Sequence, residues 1–123
     1  MKIGIADPQA RVRFGLRILL EQQTGWSVCG EAADDQELRA LVRDHRPDLL
    51  LIDWDLPGEP PVCLLHLLQT QLPGIIRITM SGRQELRQAA LLAGADGFVC
   101  KTEPPEKLLA TIQEFQPRLH KTS

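Results

Sequence analysis

Four side chains of complementary chemistry stand where short apolar runs end. Asp7 follows Ile3 and Ile5, Asp53 follows four consecutive aliphatic residues at 49–52, Ser81 follows residues 75–80, and Lys101 closes residues 97–101. Two carboxylates brought together can share a hard divalent cation, and Mg²⁺ takes a few carboxylates with water completing its octahedron. The metal and the Lys101 ammonium would offset the charge of a phosphoryl group, and Ser81 could donate a hydrogen bond to one of its oxygens. Asp53 is the carboxylate that would carry the group, as an acyl phosphate. Such a site exists only if folding brings these distant positions to one rim.

The apolar pattern supplies that rim. Residues 2–6 read as a strand, and Val12, Leu16, Leu19 and Leu20 mark the buried face of a helix over residues 11–21, stopped at Thr24-Gly25. Residues 26–32 predict a second strand. Asp34 then caps a helix, with Glu37 completing a capping box and Arg46-Pro47 ending it. Leu49-Leu50-Leu51-Ile52 is apolar on both faces, as a central strand of a covered parallel sheet must be. A helix over residues 62–70, a strand at 75–80, a helix over 85–93 closed by Gly94, a strand at 97–101 and a helix opened by Pro104-Pro105 and ending near Phe115 complete the chain. Five strands alternating with five helices predict an α/β fold, a doubly wound parallel sheet with right-handed crossovers. In such sheets the ligand crevice lies at the carboxyl ends of the strands, where all four residues fall.

Composition narrows the function. The 123 residues carry 14 basic and 16 acidic side chains, a net charge of −2, too balanced for an electrostatic footprint on nucleic acid or an anionic membrane. The longest aliphatic run is four residues, far below the roughly 20 that span a bilayer, and no signal peptide opens the chain. Cys29, Cys63 and Cys100 lack metal-ligand spacing and read as buried free thiols of a reducing, cytoplasmic setting. His45, His66 and His120 share no ligand spacing either. Arg11, Arg13 and Arg17 read as a solvated helix face, and Trp54 as a neighbour of Asp53. No glycine-rich phosphate loop follows the first strand, where Asp7-Pro8-Gln9-Ala10 stands, which argues against a flavin or nucleotide binder.

The segments IADPQARVRFGLRILLE, DLLLIDWDLPG, ITMSG and GADGFVCKTEPPEKLLATI together resemble a two-component receiver domain, in the style that precedes LuxR/NarL-type DNA-binding domains. The resemblance covers nearly the whole chain and implies a flavodoxin-like (βα)5 fold with strand order 2-1-3-4-5, phosphorylated by a sensor histidine kinase. By position, Asp53 matches the phosphoacceptor, Lys101 the pocket lysine, Ser81 the switch hydroxyl and Phe98 the switch aromatic. Asp7 matches the first acid, and the Asp55 backbone carbonyl a metal ligand. Thr79 takes the hydroxyl's role instead if the gap in this chain lies ahead of the fourth strand. One departure bears on chemistry: Pro8 occupies the place of the second acid, so Mg²⁺ binding is expected to be weak.

These readings give a receiver at residues 1–118 with a tail or linker start at 119–123. It is not an enzyme in the ordinary sense, but a phosphoacceptor that assists its own aspartyl phosphorylation and dephosphorylation. Its partners are a histidine kinase and an effector domain or a second copy, met through the fourth helix, fifth strand and fifth helix. The chain itself binds no nucleic acid or membrane, and is either a single-domain regulator or the front of a longer one. The competing reading is a pseudo-receiver, a phosphorylation-independent protein-interaction module, which Pro8 favours and Asp53, Ser81 and Lys101 oppose.

Overall fold

A computed structural model describes residues 1–120, with side chains for residues 1–116. Five parallel strands, β1 (Lys2–Ala6), β2 (Ser27–Ala32), β3 (Leu49–Asp53), β4 (Ile76–Ser81) and β5 (Gly97–Cys100), form one sheet in the order β2-β1-β3-β4-β5. Helices α1 (Ala10–Glu21), α2 (Asp35–His45), α3 (Pro61–Gln71), α4 (Arg87–Leu92) and α5 (Pro105–His120) alternate with them. This is the expected α/β, flavodoxin-like arrangement, with its switch in strand order between β1 and β3.

The alternation within β3 builds both layers. Leu50 and Ile52 pack with Leu38, Leu41, Leu64, Leu65 and Ala90 of α2, α3 and α4. Leu49 and Leu51 face the other way, onto Leu20 of α1 and Leu108 and Ile112 of α5. All five residues of β3 are buried, which is why its sequence is aliphatic without alternation. Burying a Leu or Ile completely stabilises by about 1.5–3 kcal/mol, so the two layers clamp the strand that ends in Asp53.

Local signals act as the sequence suggests. The Asp34 carboxylate accepts the Glu37 amide at 2.8 Å, and Glu37 reaches back to the Ala33 amide at 2.8 Å, one residue before the cap. Gly94 closes α4 at φ 114°, a conformation that disfavours any side chain. Arg46 ends α2 in the left-handed region at φ 44°, and Pro47 after it disfavours a right-handed continuation of the helix.

Four expectations shift. The second strand starts at Ser27, although Trp26 is buried beneath it. The fourth helix begins as a 3-10 turn, Gln84–Leu86, and α4 follows at Arg87. The last helix runs through His120, past Phe115 and the expected boundary at 118. Pro117 removes one amide donor but does not end a helix whose preceding turns are anchored by Leu108 and Ile112. Residues 121–123 of the expected tail lie outside the described residues. Of the thiols only Cys100 is buried, while Cys29 is partly buried and Cys63 is exposed. No helix among the described residues is long and apolar enough to cross a membrane.

Candidate phosphoryl-accepting site

Register places the four strand ends level with one another. Asp53 pairs with Met80 across β3 and β4, and the Trp54 amide carries the ladder one step further onto the Met80 carbonyl at 2.9 Å. The Lys101 amide donates to the Ser81 carbonyl at 2.7 Å, and the Asp7 amide to the Ala32 carbonyl at 2.9 Å. Side chains leaving the sheet just beyond these bonds converge on one small pocket.

The centre of that pocket is Lys101. Its ammonium donates to Asp7 Oδ2 at 2.6 Å and lies 2.8 Å from Asp53 Oδ1. Asp7 is wholly buried and Asp53 is 5% exposed, so one ammonium is shared between two carboxylates withheld from water. The other two oxygens are also occupied: Asp7 Oδ1 accepts the Gln9 amide at 2.8 Å, and Asp53 Oδ2 the Asp55 amide at 3.3 Å. Burial pushes the Asp53 carboxyl above the usual carboxylate range, and the negative charges of Asp7 and Asp55 act in the same direction against Lys101. Burial also pulls on the Lys101 ammonium, but its bonds to Asp53 and Asp7 outweigh it and hold the amine above its ordinary value.

Around this core the rim is set by the loop after β4. The Ser81 hydroxyl accepts the Arg83 amide at 3.1 Å, and the Arg83 guanidinium lies 3.5 Å from Asp55 Oδ1. Thr79 sits one ladder step inward, level with Ile52 and Phe98. Its Oγ1 is buried and is the one such side-chain atom without a hydrogen-bond partner among the described residues. Thr79, Asp53, Trp54 and Glu59 line a common narrow crevice at the mouth of α3. Phe98 is 3% exposed, and the Arg87 guanidinium of α4 stacks over its ring at 5.1 Å from the centroid. A buried hydroxyl without a partner is a cost that sequence cannot display, because Thr79 and Ser81 alternate onto the same face of β4 and read alike.

The loop after Asp53 is held by α2. The Asp35 amide donates to the Pro57 carbonyl at 3.0 Å, and the Glu59 amide donates to Asp35 Oδ2 at 3.0 Å. Gly58 has no Cβ to strike the Asp35 carboxylate beside it. Arg13 and Arg17 are not a freely solvated face, since both pair with Glu31 of β2, and Arg13 also donates to the Asp7 carbonyl at 2.7 Å.

The donor set suits a hard dication poorly. Two carboxylates reach the pocket, Pro8 contributes none, and an ammonium already bridges the pair. Among the described residues no group of three or more His, Cys, Asp or Glu side chains is arranged to hold a metal ion.

The model of the response regulator receiver domain matches residues 3–113. The oxygen regulatory protein NreC of Staphylococcus epidermidis is 34% identical over 116 residues, covering 92% of this chain and 53% of that protein, so the chain spans about half the length of such relatives. A LuxR-family two-component response regulator from Aurantimonas superposes with a TM-score of 0.85 at 29% identity, over 93% of this chain and 83% of the other. A CheY-like receiver domain protein from Methanospirillum hungatei superposes at 0.84 and 27% identity, over 99% and 98% of the two chains. With the motifs, the strand order and the matched span in agreement, the chain belongs to the response regulator receiver domains of two-component systems, of the LuxR/NarL type.

Proposed function

We propose that Asp53 accepts a phosphoryl group from a sensor histidine kinase and that the modified pocket switches a protein-interaction face. The observation that carries this reading is the Lys101 ammonium held at 2.6 and 2.8 Å between Asp7 and Asp53 on the strand-end rim. An ammonium in contact with the acceptor carboxylate stands ready to take up the charge that arrives with a phosphoryl group. Receiver domains are generally not enzymes, and here the chain supplies positioning and charge while the donor supplies the energy-rich bond.

Receiver domains generally bind Mg²⁺ at the acidic pocket. In this chain Asp7, Asp53 and the Asp55 backbone would be the residues to hold it, and we take binding there to be weak because Pro8 replaces an acid. The hydroxyl that meets the phosphoryl group is Thr79 or Ser81. The orphaned Thr79 Oγ1 favours Thr79, and the bond from the Lys101 amide to the Ser81 carbonyl, which sets Ser81 level with Lys101 at the strand ends, favours Ser81. Phe98, gripped by Arg87, would relay the change as a population shift of α4 and β5.

Receivers of the LuxR/NarL type pair with histidine kinases and with DNA-binding effector domains. For this chain we propose a cytoplasmic location, a sensor histidine kinase as partner, and an effector domain or second copy on the α4–β5–α5 face, where Leu92 is 81% exposed. Intact mass after incubation with acetyl phosphate tests the reading. A single phosphoryl adduct on the wild type and none on Asp53→Asn is expected. An unmodified wild type would leave a phosphorylation-independent interaction module.

A further inference from the structure

The pocket's own charges solve a problem that Pro8 creates. A phosphoryl group on Asp53 adds negative charge beside Asp7, which is wholly buried and cannot leave. All four carboxylate oxygens of Asp7 and Asp53 already accept a donor, from Lys101, Gln9 and Asp55. A dication entering here would compete with the Lys101 ammonium for the same two carboxylates, and Pro8 offers it no third.

A second cation does stand at the rim. The Arg83 guanidinium is about half exposed and 3.5 Å from the Asp55 carboxylate, two residues from the acceptor. Its backbone is pinned by the bond from its amide to the Ser81 hydroxyl, so the base of the side chain is fixed while its end is free to turn. Guanidinium presents paired donors that match phosphoryl oxygens, and its exposed pairing with Asp55 is weak enough to exchange.

Resting on the reading of Asp53 as acceptor, we infer that this receiver takes up its phosphoryl group without a divalent cation, using Lys101 as the resident positive charge and Arg83 as a second one recruited from the rim. With acetyl phosphate as donor, an Asp53 carboxylate oxygen attacks phosphorus and forms the new P–O bond. The P–O bond to the acetyl group breaks, and its electron pair leaves on acetate. No proton is transferred and nothing is oxidised or reduced. Lys101 remains within reach of Asp7, and Arg83 exchanges the Asp55 carboxylate for the phosphoryl oxygens.

The test follows adduct formation by intact mass with acetyl phosphate, in excess EDTA and in saturating Mg²⁺. The wild type is expected to label at rates within about twofold of each other in the two conditions. Arg83→Gln is expected to label about tenfold more slowly in EDTA, the scale of one lost charge-assisted contact, with an unchanged melting curve. Pro8→Asp is expected to restore a strong acceleration by Mg²⁺. Labelling of the wild type that requires Mg²⁺ overturns the inference and leaves Asp53 as acceptor. An Arg83→Gln rate equal to that of the wild type in EDTA removes Arg83 from the site. No adduct in either condition instead defeats the acceptor reading itself.

Discussion

Replacing Thr79 by valine should stabilise the resting domain. The side chain is 1% exposed in the middle of the sheet, and its hydroxyl has no partner among the described residues. A buried hydroxyl left without a hydrogen bond costs about 1–3 kcal/mol, and a methyl in its place is nearly isosteric and adds apolar contact to Ile52 and Phe98. The backbone is unaffected, since valine suits a strand at least as well as threonine. We therefore expect a gain of about 1–2 kcal/mol, read as a rise in the urea midpoint at constant m-value and an increase of about 4–8 °C in Tm. Ser81→Ala is the comparison: its hydroxyl holds the Arg83 amide at 3.1 Å, so the same measurement should record a loss of about 1 kcal/mol. A midpoint for Thr79→Val that stays put or falls would mean that the hydroxyl is satisfied in solution, and the argument that it is reserved for an incoming phosphoryl oxygen would fail with it. Where the hydroxyl meets the phosphoryl group, the variant's added stability should come with a lost response to phosphorylation.

Four further outcomes follow from the pocket and its support. Pro8→Asp should tighten Mg²⁺ binding, seen in the fluorescence of Trp54 beside the site, and an unchanged Kd would mean that residue 8 is not the missing ligand position. Asp53 titrates above the usual carboxylate value when folded, so the native state holds its proton longer and stability falls as pH rises through that titration; Asp53→Asn should lack this fall in urea midpoints measured from about pH 4 to pH 7. Lys101 also sits above its ordinary value when folded, so its contribution is complete below about pH 10.5 and disappears as pH rises through the folded value; Lys101→Met should melt lower than the wild type at neutral pH and converge on it in strong alkali. Arg77 is 4% exposed and bonds the Ile75 and Gly94 carbonyls and Asp96, so Arg77→Ala should cost about 3 kcal/mol in chemical denaturation.

Much of this fold can be read directly from residue order. β3 is aliphatic because both its faces are covered, and Gly94, Asp34 and Pro105 mark helix ends by backbone and capping chemistry that acts within a few residues. The candidate pocket is legible too, since Asp7, Asp53 and Lys101 each stand at a strand end and parallel strands deliver their ends to one edge. What residue order conceals is pairing between side chains far apart in the chain. Arg13 and Arg17 read as a solvated face until β2 brings Glu31 under them, and nothing in the order of residues marks Arg77 as the buried partner of Gly94 and Asp96.

The same distinction separates the two hydroxyls of β4. Thr79 and Ser81 share a face, a chemical type and a short distance along one strand, so spacing alone cannot rank them. Their difference lies in where a third residue sends its amide: Arg83 turns back onto Ser81 and leaves Thr79 without a donor or acceptor. That turn also brings the Arg83 guanidinium toward Asp55. One loop of two residues, Gly82-Arg83, therefore sets which hydroxyl stays open and which cation guards the rim. Lengthening that loop should disturb both properties together, as should Ser81→Ala, whereas a substitution at Thr79 should disturb only one.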